Sequence, residues 1–405
     1  MGKRLETVLS APHRAMFLVG ALVLLGVSAW WTAELAARAT GTILAVYPAP
    51  AGWLHGALMT FAVLPFFIFG FAMTAMPRWQ GQRPVPRPVF RGVCALMTTG
   101  CVLVVLGLWL PASARTGILL AAAGWAIGAV RLTQIAGKAN PQGPHLRLIA
   151  AALWAGFAGG VVAGAAVYRE TAAPLRAALE VGIWWFLIPT FATVAHRAIP
   201  LWGNALPREA ARSPTWTLPV LIAGSFAHGA CSLAGAQSWL WLADLPAAAA
   251  ALRLSWAWCS PSVWQVRLLA MHHVAFAWLG ISLALIGVQD LANVAGVRVL
   301  GLAPLHALTI GFFASMLFGV ATRVTLGHSG RPVIADSPTW RTFWLVQAAA
   351  LLRIAGELTV GSVASALALI ASAVWLAAFG VWAARLLPFY WGGSTAQGGR
   401  GPDTP

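Results

Sequence analysis

Histidines in or beside apolar runs are the residues of this sequence that could do chemistry. The chain has nine histidines, and all but two lie inside such runs or at their ends: His55, His196, His228, His272, His273, His306 and His328. A polar side chain in a membrane is costly unless it has a partner, and imidazole is the commonest metal ligand. For one histidine alone, a hydrogen bond between helices is the simpler interpretation, but the group predicts bound metal. His13 and His145 fall in loops and are expected to be solvated.

The elements that hold these histidines must be membrane helices, because the composition excludes a soluble domain. Of 405 residues, 60% are hydrophobic and only 9% are charged, with a mean hydropathy of +0.78, whereas soluble domains carry about 25% charged residues. The net charge of +16 would suggest nucleic-acid binding in a soluble protein. Here the basic residues lie in short breaks between apolar runs, which is typical of membrane orientation and excludes a nucleic-acid partner.

Twelve apolar runs are long enough to cross a hydrocarbon layer of about 30 Å. They lie at about 15–35, 52–76, 91–110, 115–136, 147–168, 176–200, 215–235, 237–255, 266–288, 302–326, 339–358 and 362–388. Irregular backbone cannot cross hydrocarbon in contact with lipid, so each run must be a helix. The sequence therefore predicts an all-α integral membrane protein, a bundle of about twelve transmembrane helices that forms one polytopic domain over 1–391. The Gly-rich segment 392–405 is predicted to be a disordered cytoplasmic tail.

The distribution of basic residues predicts which way the bundle faces. If the N-terminus is cytoplasmic, six of the 26 Lys and Arg residues lie on the outer side: Arg38, Arg115, Arg169, Arg176, Arg298 and Arg353. The other 20 lie on the inner side, as the positive-inside rule requires. We therefore expect both termini to be cytoplasmic.

This topology sorts the histidines into two levels. The histidines expected near the outer face lie at the start of an even-numbered span or near the end of an odd-numbered one: His55, His306 and His228. Those expected near the inner face are His196, His272, His273 and His328. His306 and His328 are 22 positions apart, about 33 Å along a helix at roughly 1.5 Å per residue. The sequence thus predicts two sites, or one site and a structural cluster. An imidazole pair suits the axial positions of haem iron, and three imidazoles suit copper.

Other polar and helix-breaking residues in the spans are few. Glu180, Asp244 and Glu357 lie in or near apolar runs. Glu180 and Asp244 are expected to be interfacial rather than part of a proton pathway. No pair of catalytic carboxylates is recognisable. Pro65 and Pro189 are expected to kink the second and sixth spans, and the freed carbonyl groups could shape a pocket.

Two segments carry a resemblance to a known family. The first begins at His55 and ends with Ala-Met-Pro-Arg-Trp-Gln-Gly at 75–81, and the second begins at His306 and ends with Thr-Arg-Val-Thr-Leu-Gly-His-Ser-Gly-Arg at 322–331. Together they resemble the NnrS family of bacterial inner-membrane proteins, and weaker matches at His196 and His273 follow in the right order. The sequence departs from the family at Ala57 and Leu58, where relatives often have a second histidine and an acidic residue.

The resemblance implies a protein that holds haem b and copper and is linked to nitric oxide metabolism or to relief of nitrosative stress. By position, the implied metal ligands are His55, His196, His273, His306 and His328. Apart from the resemblance, Arg197, Arg323 and Arg331 lie beside these histidines and could pair with haem propionates, since guanidinium groups match carboxylates. Arg323 and Arg331 thus join His55 and His306 as candidate haem-binding residues. The same arginines could equally be ordinary positive-inside residues. The implied partners are the lipid bilayer, nitric oxide or a related gas, and a quinol or other electron donor.

Three functions remain open. A haem and copper protein of this kind could be an oxidoreductase that acts on nitric oxide. Twelve spans with proline kinks would also suit a polytopic transporter whose histidines bind substrate or only stabilise the fold. A purely structural protein, with histidines that hydrogen-bond between helices, is the third possibility.

Overall fold

The computed structural model describes residues 2–107, 110–138, 143–202, 213–297 and 299–392. Throughout these ranges every regular element is a helix, which confirms the all-α fold. The predicted tail lies outside the described residues from position 393 onward.

Twelve longer helices follow one another in the described chain. They are α1 Pro12–Ala39, α2 Ala51–Trp79, α3 Arg87–Leu106, α4 Pro111–Ala136, α5 Gly143–Tyr168, α6 Ala172–Trp202, α7 Thr217–Leu233, α8 Leu240–Trp258, α9 Arg267–Val294, α10 Ala303–Gly327, α11 Ser337–Glu357 and α12 Gly361–Leu386. Short helices lie at Gly2–Val8, Pro261–Gln265 and Pro388–Trp391. Nine helices in the described ranges are long and apolar enough to cross a membrane. Because α7, α8 and α11 are shorter or less apolar, the number of twelve spans stays a prediction.

Three helices contain a widened π-helical stretch. These stretches are Met59–Val63 in α2, Val181–Leu187 in α6 and Ala307–Ala314 in α10. Pro65 and Pro189 follow the first two closely. A proline has no N–H to donate, and its ring collides with the carbonyl group four residues earlier, so the preceding turn opens. A π-helical stretch therefore precedes each of the two prolines at which a kink was expected.

The π-helical stretches of α2 and α6 touch each other through a glycine. A Cβ atom on Gly182 would come within 2.6 Å of Cγ2 of Thr60. Only a residue without a side chain permits so close an approach of two membrane helices. This contact fixes the start of α6 against the start of α2.

An apolar cavity is lined by side chains of α1, α2, α5, α6 and α10. Phe17, Phe67, Phe191 and Met316 are among the side chains that line it. The hydroxyl of Thr190, also in its wall, is buried with no hydrogen-bond partner. The cavity can therefore hold a small uncharged molecule in contact with a single polar group.

Asp336 caps the N-terminus of α11 and joins it to α12. Its Oδ1 accepts hydrogen bonds from the backbone N–H of Thr339 at 3.0 Å and from the Thr339 hydroxyl at 2.6 Å, and its Oδ2 pairs with Arg385. Partial burial alone would raise the pKa of Asp336, but the Thr339 hydrogen bonds and the Arg385 charge outweigh it and lower the pKa. The ionised carboxylate is therefore the form that stabilises this corner.

Replacement of Asp336 by Ala should lower the free energy of unfolding by about 1 kcal/mol at pH 7, the usual cost of losing a helix cap. Because the carboxylate has a lowered pKa when folded, its contribution is complete above the ordinary aspartate pKa of about 3.9 and is lost as the pH falls through the lower folded value. Thermal unfolding in detergent at several pH values measures this. A difference between the two proteins that persisted below the lowered folded pKa of Asp336 would contradict the role of charge.

Candidate metal-binding sites

His55 and His306 lie at the same end of the bundle, one turn or less before a π-helical stretch. His55 stands near the start of α2, and its ring stacks on Trp31 of α1 with centroids 4.4 Å apart and planes 13° apart. His306 is the last residue before the π-helical stretch of α10. The two imidazoles interact electrostatically, and Arg353 of α11 acts on both. The structure thus brings together His55 and His306, two of the three histidines that the sequence placed at the outer level.

Hydrogen bonds at this end leave imidazole nitrogens free. Nδ1 of His306 donates to the carbonyl oxygen of Leu302 at 2.9 Å, so in the neutral ring Nε2 keeps its lone pair. Nδ1 of His55 is buried and has no hydrogen-bond partner. Glu357 accepts from the backbone N–H of Leu302 at 3.1 Å and pairs with Arg353. Glu357 thus holds the backbone of Leu302, and the carbonyl group of Leu302 orients the His306 ring. A metal-ligating histidine is usually oriented by such a hydrogen bond from its other ring nitrogen.

His328 follows α10 at the opposite end and already has partners at both nitrogens. Nδ1 donates to the carbonyl oxygen of Val324 at 2.8 Å, and Nε2 accepts from Nη1 of Arg78 at 2.6 Å. Burial lowers the pKa of His328, and the charges of Arg78 and Arg14 lower it further. The neutral ring is therefore favoured, but Arg78 would have to leave before Nε2 could bind a metal.

The expectation that His13 is solvated in a loop was wrong. α1 begins at Pro12, so His13 lies in its first turn and is only 3% exposed. Its ring packs against that of His328 with centroids 4.4 Å apart, and its Nδ1 lies 3.4 Å from the hydroxyl of Thr74. The helix extends beyond the apolar run, and neighbouring helices bury this turn.

His145 was also expected to be solvated, and it instead pairs with His196. Nε2 of His145 in α5 lies 3.1 Å from Nδ1 of His196 in α6, and the rings stack at 5.3 Å. Nε2 of His196 is buried without a hydrogen-bond partner. One nitrogen of this predicted ligand is therefore free to bind a metal.

His272 and His273 begin α9 and face different neighbours, as residues about 100° apart on a helix must. His272 is fully buried, donates from Nδ1 to the carbonyl oxygen of Leu268, and packs edge-on against Trp202 at 4.7 Å. A Cβ atom on Gly319 of α10 would lie 3.2 Å from its Nε2, which has no hydrogen-bond partner. His273 packs edge-on against Trp264 at 5.9 Å, and its Nδ1 is likewise buried and unpartnered.

The inner-level residues matched by the resemblance do not form one compact group. Within the described ranges, no hydrogen bond or ring contact joins His196, His273 and His328 to one another, and they form no group of three with ligand atoms within 4.8 Å. Arg323 lies over the Trp202 ring at 4.8 Å, and Arg331 lies over the Phe389 ring at 4.5 Å. Both guanidinium groups are thus stacked on aromatic rings near the inner end.

A third cluster was missed by the sequence analysis. His228 of α7, Asp244 of α8 and Asp290 of α9 are buried, and one ligand atom of each lies within 4.8 Å of the others. Asp244 is 0% exposed, so its side chain is enclosed by neighbouring helices although it lies near a helix end. Each residue stands little more than one turn from a helix end on the same side of the bundle, and this equal depth is the sequence signal that could have found the cluster.

The described structure therefore offers free imidazole nitrogens at both ends of the bundle and an apolar cavity between them. A match to known proteins covers nearly the whole chain: the model of the NnrS protein family matches residues 7–393. No curated protein matches the chain.

Proposed function

Since the chain belongs to the NnrS family, we propose that it holds haem b and copper in the bacterial inner membrane and acts in nitric oxide metabolism or in protection from nitrosative stress. One observation supports bound cofactors above all others. Four imidazole nitrogens are buried and have no hydrogen-bond partner among the described residues, at His55, His196, His272 and His273. Buried polar atoms without partners are rare in folded proteins, and a metal would satisfy them.

Haem fits the end of the bundle that holds His55 and His306. The two imidazoles interact at the starts of α2 and α10, and each has a nitrogen available for iron. Trp31 holds the plane of His55, and the Leu302 carbonyl group fixes the tautomer of His306. Arg353, which pairs with Glu357, is a cation close to both histidines. Arg323 is 17 positions after His306, about 25 Å along a helix, so Arg323 and Arg331 lie too far from His306 to pair with a haem held at this end.

Copper fits the inner histidines in part. The free nitrogens there belong to His196 and His273, with His272 beside them, and imidazole is a ligand that copper accepts readily. His328 would join them only after it loses the hydrogen bond from Arg78. We therefore propose His196 and His273 as copper ligands, and His328 as one that depends on Arg78.

When bound, haem and copper would supply metal centres that bind an uncharged gas and accept electrons from a quinol or another donor. The side chains of the chain itself exclude water and admit the gas. Phe17, Phe67, Phe191 and Met316 make the cavity apolar, so it favours a neutral diatomic molecule over ions. Both termini are proposed to be cytoplasmic, which the excess of basic residues on that side supports.

An anaerobic optical spectrum of the purified protein, recorded with and without nitric oxide beside iron and copper analysis, tests this function. We expect a Soret band that shifts when nitric oxide is added, together with stoichiometric metal. Protein from haem-replete cells that showed neither a Soret band nor bound metal would overturn the proposal.

A polytopic transporter is a second candidate, favoured by one observation. Asp244 and Asp290 are buried carboxylates in membrane helices, and such residues often mark proton or ion pathways. Uptake of substrate by proteoliposomes, retained after loss of the five matched histidines, would support a transporter and contradict the metal-dependent function.

A further inference from the structure

A buried cluster of His228, Asp244 and Asp290 lies among α7, α8 and α9, in none of the segments that carry the family resemblance. The two oxygens of Asp244 lie 2.8 and 3.0 Å from Nδ1 of His228. A ligand atom from Asp290 completes a group of three within 4.8 Å. The side chains come from three different helices, so the fold itself assembles the cluster.

The charges of the cluster are not balanced by its described neighbours. Two carboxylates stand beside one imidazole, and Glu180 of α6 adds a further negative charge that acts on His228 and Asp244. No Lys or Arg of the described ranges forms an ion pair with these residues. Buried carboxylates are costly unless a cation or a proton neutralises them.

Asp290 is only partly satisfied by hydrogen bonds. The residue is 9% exposed, and its Oδ1 accepts a long hydrogen bond of 3.4 Å from Nδ2 of Asn293. Among the described residues no N–H or O–H group donates to its buried Oδ2, and the carboxyl group lies within hydrogen-bonding reach of Asp244. This oxygen lies beside a histidine and a second carboxylate, and a bound cation would satisfy it.

The surroundings hold the cluster in place. Trp184, in the π-helical stretch of α6, stacks on His228 with ring centroids 3.4 Å apart, and its carbonyl oxygen accepts a hydrogen bond from Ser225. A Cβ atom on Gly287 would approach Leu245 to 2.6 Å and Cβ of Asp244 to 3.4 Å. The close approach of α9 to α8 and the stacked ring fix the ligand atoms before anything binds.

We propose that His228, Asp244 and Asp290 bind one divalent transition-metal cation. One imidazole nitrogen and carboxylate oxygens form a mixed donor set that Mn²⁺, Fe²⁺ and Zn²⁺ accept, and Glu180 is near enough to add its charge. The site uses none of the histidines assigned to haem or copper, so it is independent of the proposed function.

Mn²⁺ is the probe that tests this site. The purified full-length protein in detergent, freed of loosely bound metal by a chelator, is titrated with Mn²⁺, and electron paramagnetic resonance measures the free ion. We expect one Mn²⁺ to bind per chain, and Zn²⁺ to displace it. Asp290→Asn, which keeps the shape of the side chain, should weaken binding by about tenfold or more.

Two controls separate this site from others. Asp336→Asn removes an exposed carboxylate, and His273→Gln removes a proposed copper ligand, so both should bind Mn²⁺ like the wild type. His228→Gln gives a second test if Asp290→Asn does not fold, and Mn²⁺ should raise the melting temperature of the wild type but of neither site variant. Absence of a bound Mn²⁺, or equal binding by the wild type and the site variants, would overturn the proposal and indicate carboxylates that share a proton.

Discussion

The His306→Gln protein is expected to lose its haem. Glutamine is close to histidine in size but has no imidazole nitrogen to bind iron, and His306 is the residue whose Nε2 is left with a lone pair by the hydrogen bond to Leu302. The Soret absorbance per chain should fall to about a tenth of the wild-type value or less, since loss of even a supporting residue commonly costs 10–100-fold in metal affinity. His55→Gln should have the same effect.

The matched control is His13→Gln. His13 is also a buried histidine in a membrane helix, but it lies at the opposite end of the bundle beside His328. The Soret band of the His13→Gln protein should therefore equal that of the wild type. If His306→Gln and His55→Gln eluted as folded protein and kept a full Soret band, the two histidines would have only a structural role.

The Gly311→Val protein should be strongly destabilised. Gly311 lies in the π-helical stretch of α10, and a Cβ atom there would come within 2.5 Å of the Trp278 ring of α9. Trp278 cannot move away freely, because its Nε1 donates to Gln347 at 2.8 Å and Gln347 donates to Ser315 at 2.7 Å. Overpacking of this kind costs about 1–3 kcal/mol, and more where neighbours are held. Thermal unfolding in detergent measures the loss.

Gly380→Ala is the control for this substitution, since a Cβ atom at Gly380 of α12 would meet nothing within 4 Å. It should unfold at the wild-type temperature. The double variant Gly311→Ala with Trp278→Leu should recover part of the loss, because the smaller side chain makes room. A melting temperature of Gly311→Val equal to that of Gly380→Ala would show that α9 and α10 do not pack as described.

Hydropathy and short motifs were enough to predict the helical fold and the family. Apolar runs set the positions of the helices, because the length of a membrane helix is fixed by the bilayer. The same information places residues by depth, which is why His55 and His306 were expected at one end. The family match over residues 7–393 agrees with the resemblance read from the segments at 55–81 and 306–331.

Lateral contacts could not be predicted in this way, because hydropathy describes depth and not which helices are neighbours. His145 was expected in solvent, yet the contact of α5 with α6 places it against His196. Asp244 was expected near the interface, and the sequence did not indicate that α7, α8 and α9 would enclose it with Asp290. The helix ends gave the right depth for these residues, but one sequence carries no information on pairing between helices.

The π-helical stretches have a consequence for how the two ends of the bundle relate. An α-helix turns about 100° per residue, and a turn closed between residues five apart contains one residue more than a turn closed between residues four apart. The parts of α2, α6 and α10 on either side of their π-helical stretches are therefore out of phase with an uninterrupted helix. A histidine before the stretch and an arginine after it can point in directions that an ordinary helix would not allow. The directions of the side chains at one membrane face are therefore not fixed by those at the other face.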